Sequence, residues 1–194
     1  MYLLFTTFTD VFEGRYGFNT GEAGLAYLGL GVGFCLGQLT VMPFSNWYLG
    51  RQQKLRGSSK PEDRLPPLIL GSCLLPIGLF WYGWSAQAHA YWLVPIIGTV
   101  FIGFGILYVF LPVQMYLIDA YTIYAASAIA TNTVVRSIFG TTVPLAGSAL
   151  YKRLGLGWGN SLLGFIAVVF APGSWILLTY GERIRKNPKF QPNL

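Results

Sequence analysis

The chain has 194 residues, 54% of them hydrophobic and only 10% charged, with a formal net charge of +6. So apolar a composition excludes a soluble globular domain and identifies an integral membrane protein of the all-α, polytopic helix-bundle class, with the lipid bilayer as its main solvent. The 13 Lys and Arg fall between hydrophobic segments instead of forming one face, which excludes a nucleic-acid-binding surface and reads as a set of topology signals.

Met1 to Phe8 is apolar but too short to span, and it runs at once into DVFEGRYGFNTGE, with Asp10, Glu13, Arg15 and Glu22. It has no basic n-region and no small-residue cleavage site, so it is a poor signal peptide. Residues 1–11 read as the tail of a longer helix, and the polar patch after them as a loop. Residues 25–47 form the first full span. Gly29, Gly33 and Gly37 recur in it at four-residue spacing, a flat stripe against which another helix packs closely. The section YLGRQQKLRGSSKPEDRLPP that follows is the most charged of the chain and reads as a cytoplasmic loop. Residues 65–85 make the next span, closed by Trp81, Tyr82 and Trp84, an aromatic cluster suited to the opposite interface. The AQAHA linker has neither Lys nor Arg, and its His89 reads as an interfacial polar residue. Residues 91–118 are long for one span; Pro95 and Pro112, with Gly98, Gly103 and Gly105, predict a bent or locally broken helix. Cys35 and Cys73 show no CxxC or metal-ligand spacing, so they read as buried thiols, with neither a disulfide framework nor a metal site.

Residues 122–150 are the stretch around which the chain is organised. If the helix starts near Thr122, Arg136 lies roughly 20 Å along it, between Thr133, Val134 and Val135 on one side and Ile138 and Phe139 on the other. Ala128, Asn132, Arg136, Gly140 and Pro144 recur at four-residue spacing, so one side of the helix is small or polar and should face protein or water. An ionisable residue inside a membrane helix points to a functional cavity or a charged partner. The structural alternative is an arginine held by backbone carbonyls or by Asp119, or one that snorkels to the headgroups.

The last span covers residues 158–180, and the tail after it is basic. Arg51, Lys54, Arg56, Lys60, Arg64, Arg183, Arg185, Lys186 and Lys189 fall on one side of this arrangement, and Arg15, Lys152 and Arg153 on the other. The bias places the C-terminus in the cytoplasm. The chain reads as six helices with the first one cut, 1–11 partial, 25–47, 65–85, 91–118, 122–150 and 158–180.

The ordered blocks PEDRLP, PIGLFWYGW, HAYWLVPIIG, YLIDAY, SAIATNTVVRSIFG, VPL and LYKRLGLGWGNSLLGFIA resemble the C-terminal six-helix half of fungal major facilitator superfamily transporters, in the twelve-span drug:proton antiporter group. The resemblance covers nearly the whole chain. Two local departures are the two residues between the histidine and tryptophan of HAYW, where the family usually has them adjacent, and Val143 before Pro144, where an aromatic is expected. The larger departure is that the N-terminal half of the family pattern is absent from these residues, including the antiporter motif of the fifth span and the gating loop between the second and third.

The resemblance implies two six-helix bundles that rock around a central cavity, each built from inverted three-helix repeats. It makes the helix with Asn132 and Arg136 the eleventh span and the one with Tyr108 and Gln114 the tenth, both contributing to the cavity. Asp119 would lie at the cytoplasmic end of the tenth, where an ion pair with Arg136 would serve structure or gating. It further implies a plasma-membrane exporter of amphipathic organic molecules exchanged for protons, in partnership with the N-terminal six-helix half. No nucleotide-binding loop accompanies these blocks, and no cofactor or catalytic set, so neither ATP drive nor enzyme chemistry is expected. The alternatives are a truncated fragment that does not transport, and a membrane accessory or scaffold protein.

Overall fold

A computed structural model describes residues 8–9, 11–14, 16–58 and 60–185, and every long element among them is a helix. Helical residues at 8–9, 11–14 and 16 extend the opening segment into the polar patch expected as a loop; Asp10, Arg15 and the basic residues Lys186 and Lys189 lie outside the described residues. Helix α1, Thr20–Arg56, starts where the Glu22 carboxylate accepts a hydrogen bond from the Asn19 N–H at 3.0 Å, one half of a capping box. It ends at Gly57, whose φ of 72° suits glycine and whose N–H donates to the Gln53 carbonyl. The helix therefore runs past residue 47 and carries Arg51, Lys54 and Arg56 with it. Gln, Lys, Leu and Arg are good helix formers with or without lipid around them.

A short 3-10 turn, Pro61–Arg64, leads into α2, Pro66–Gln87, with prolines in its first turn, where the missing N–H removes no helical bond. Helix α3, Leu93–Tyr121, is followed by a second 3-10 turn, Thr122–Tyr124, and by α4, Ala125–Arg185. At 61 residues α4 would be roughly 90 Å long if unbroken, about three times the hydrocarbon thickness. Gly155, at φ 76° and ψ 173°, breaks it into a first arm, residues 125–154, and a second arm, residues 156–185.

Thr20–Arg56, Pro61–Gln87, Leu93–Leu145 and Arg153–Gly181 are long and apolar enough to cross a membrane. The 53 residues of Leu93–Leu145 are two antiparallel rods. The Arg136 guanidinium lies 5.0 Å from the Phe110 ring centre, whereas a straight helix would hold those positions roughly 39 Å apart. The chain reverses at Thr122, a residue at φ 35° and ψ −91°.

Helix α3 is the centre of the bundle. Gly29, Gly33 and Gly37 of α1 lie against Thr99, Val100 and Leu107 of α3, and a Cβ at Gly33 would collide with the Val100 carbonyl oxygen. On its other side α3 meets α2 as closely; a Cβ at Gly78 would stand 2.8 Å from the Ile102 nitrogen. The second arm of α4 covers α2. The Phe80 and Phe165 rings meet edge to face at 5.3 Å, and Trp84 Nε1 donates to Ser161 Oγ at 3.0 Å. Phe8, Phe12, Leu30, Tyr82 and Ile102 form the buried core. Leu39, Val169 and Phe170 are each at least 70% exposed, as a surface coated by acyl chains requires. Cys35 and Cys73, expected as buried thiols, are both free and exposed. Their apolar neighbours signal lipid contact here, since the outward faces of these helices are as apolar as their inward ones.

Candidate functional site

The reversal at Thr122 lays the first arm of α4 beside α3 and encloses an open-sided groove of about 750 Å³. Its walls are apolar: Phe34 from α1, Leu75 and Leu79 from α2, Ile106 and Phe110 from α3, Phe139 from the first arm. Asn132, Arg136 and Gly140, three members of the four-residue stripe, face it together. Their register follows from helical spacing; Val134, Val135 and Ile138 of the same arm do not line the groove, while Arg136 and Phe139, on its open side, are themselves exposed.

Arg136 is the one charged residue among the described residues that line the groove. Its guanidinium sits over the Phe110 ring at 5.0 Å, a cation–π contact worth about 0.5 to 2 kcal/mol. Placing an arginine at the centre of a membrane helix costs ~2.5 to 3.5 kcal/mol on insertion scales and more by other accounts. The ring therefore offsets only part of the cost, and the remaining donors of the planar fork need water or an anion.

The other candidates lie elsewhere. Tyr108, on α3, is buried and stacked on Phe104 at 4.4 Å, and its hydroxyl donates to Thr40 Oγ1 of α1 at 2.9 Å. Gln114 Oε1 is buried without a hydrogen-bond partner among the described residues. Asp119 does not pair with Arg136. Its Oδ2 accepts from Arg64 Nε at 2.8 Å, because Asp119 stands at the reversal and Arg136 is about three helical turns beyond it along the first arm.

Arg64 is the residue that sequence reasoning missed as a site and counted only as a topology charge. It also donates from Nη1 to Asn46 Oδ1 at 3.2 Å, so one guanidinium joins the Pro61–Arg64 turn to α1 and to the end of α3. Asp63 in the same turn accepts from the Lys60 N–H and meets Arg56 at 3.5 Å. The available signal was Asp119 itself, a lone acid at a helix end that requires a cation. Which of several nearby cations it takes depends on the fold.

A helical membrane bundle built on close glycine contacts, with an apolar groove that carries a polar stripe, is the class defined by these features. Comparison with known proteins makes it specific. The chain is 52% identical over 98% of its length to the MFS transporter cpaT of Aspergillus oryzae, 53% identical over 95% to the MFS-type transporter tndD of Aspergillus flavipes, and 47% identical over its full length to the efflux pump radE of Floropilus chiversii. It belongs to the major facilitator superfamily, and its relatives are fungal transporters, not enzymes. It spans 35 to 39% of the length of these relatives. No family model and no solved structure matches the chain.

Proposed function

We propose that this chain is the C-terminal six-helix half of a plasma-membrane exporter that moves amphipathic organic molecules in exchange for protons, with its C-terminus in the cytoplasm. The groove carries the reading: an apolar wall and a polar stripe, Asn132 and Arg136, enclose a volume of about 750 Å³, in the range of small-molecule sites. The name of the relative radE, an efflux pump, supports export over import. Proton exchange rests on the resemblance to the drug:proton antiporter group, and the cytoplasmic C-terminus on the excess of Lys and Arg around residues 51–64 and 183–189. Alternating access needs two bundles that move against each other, so the N-terminal half is the implied partner and the chain alone is expected to insert without transporting.

Efflux of an amphipathic fluorescent dye from cells lacking their own exporters tests this. Full-length protein should export it and a protonophore should stop export, while the 194-residue chain alone should give the background rate. Export untouched by the protonophore would remove proton coupling. No export by full-length protein present at the cell surface, across a panel of such dyes, would favour a scaffold or accessory role.

A further inference from the structure

We propose that the groove selects amphipathic organic anions: molecules with a flat apolar body and a single carboxylate that the Arg136 guanidinium receives. This rests on the reading of the groove as a ligand site and adds the sign of the ligand's charge.

The charge balance of the groove carries the argument. Among the described residues, its lining contains one guanidinium and no carboxylate. Asp119, at the end of the same helix hairpin, is engaged by Arg64 at 2.8 Å; Glu62 and Asp63 lie in the Pro61–Arg64 turn, Glu22 is at the start of α1, and Glu13 precedes that helix. Arg136 has an aromatic face on one side, from Phe110 at 5.0 Å, and a contact through the face of the guanidinium leaves its in-plane N–H groups able to donate. A carboxylate takes two parallel N–H bonds from such a fork, and the bonds strengthen where water is scarce. Asn132, one turn earlier on the same face, supplies an amide that can donate to the same anion. Phe110 and Phe139, with Leu79 and Ile106 beyond them, then cover the apolar body. A cationic amphiphile would fill the same volume but would place like charges together with no acid to separate them. An anionic lipid presents the same oxyanion chemistry. Its headgroup belongs at the interface, whereas Arg136 stands roughly 18 Å from the reversal after Tyr124.

Full-length protein in nanodiscs, titrated with a matched fluorescent trio of pyrenebutyrate, its methyl ester and pyrenebutyltrimethylammonium, decides the point, with protein-free nanodiscs as the partition control. The carboxylate should bind at least tenfold tighter than either of the others. Arg136→Gln should remove that preference and Arg136→Lys should keep part of it. Should Arg136→Gln fail to fold, the trio on the parent and the Lys variant still decides. Equal binding of all three probes, no binding at all, or a preference for the cation would overturn the proposal. The carboxylate affinity should be the same in phosphatidylcholine discs and in discs with phosphatidylglycerol; its loss in the latter would show that the occupant is lipid and overturn it too. Binding is read without turnover, so a charge preference without any export would contradict the transporter reading and leave the anion site standing.

Discussion

Arg64 and Arg136 are both cations in a mostly apolar chain, and their surroundings make different demands. Arg64 has its partners: the Asp119 carboxylate at 2.8 Å, the Asn46 amide oxygen at 3.2 Å and the Met115 sulfur at 3.9 Å. With side chains 21% and 35% exposed, the Arg64–Asp119 pair is partly screened, and its coupling should be about 0.5 to 1 kcal/mol. A double-mutant cycle with Arg64→Ala and Asp119→Ala, read from thermal unfolding of the full-length protein, should return a coupling of that size. Strictly additive effects would show that the contact is incidental. Arg136 has one aromatic face and no carboxylate partner among the described residues that line the groove. Asp119→Asn should therefore not rescue any defect of Arg136→Gln, and a rescue would mean that the two residues pair after all.

Among the elements, α3 makes the closest contacts, and the α1 face that meets it is written in glycine. Gly33 and Gly31 are two residues apart on one helix, yet a Cβ at Gly33 would strike the Val100 backbone and one at Gly31 would meet nothing within 4 Å. Gly33→Leu should lower the folding yield, at an overpacking cost of ~1 to 3 kcal/mol, while Gly31→Leu should express and melt like the parent. Equal behaviour of the two would place lipid, not α3, against Gly33. Such a stripe is legible in the sequence because a four-residue repeat of glycine has few uses in a membrane helix other than close approach. Helix ends were less legible. Position 47 looks like the end of a span by hydropathy, but the Gln-Lys-Leu-Arg run stays helical until Gly57 can adopt φ 72°. The partner of Asp119 was not legible either. It lies 55 residues away, and the choice among the cations near it is made by the turn Pro61–Arg64, a tertiary feature without local periodicity.

The groove exists only because the chain doubles back at Thr122, and its polar side was readable from spacing while its opposite wall was not. Phe34, Leu75, Leu79 and Phe110 come from three other helices, and in a membrane protein inward and outward faces are equally apolar. Tyr108 and Gln114 show the same limit: a tyrosine and a glutamine on the helix beside the groove, one packed on Phe104 and one buried. The arrangement in the membrane makes its own prediction. After Cys35 and Cys73, both exposed, are replaced by Ser, cysteines introduced at Ser58 and at Ala88 should label from opposite faces of the bilayer, the first from the cytoplasm. Labelling from one face would mean that α2 does not cross.

If the groove around Arg136 is the transport cavity, export per surface molecule depends on the chemistry of that side chain. In the full-length protein Arg136→Gln, which keeps donors but loses the charge, and Arg136→Lys, which keeps the charge but loses the planar fork, should both reach the plasma membrane in normal amounts. Both should then show altered export rates or substrate preference per molecule at the surface. Parental rates for every substrate tested with Arg136→Gln, or retention in the endoplasmic reticulum with normal turnover of the molecules that do arrive, would rule out the cavity role and make Arg136 a structural residue.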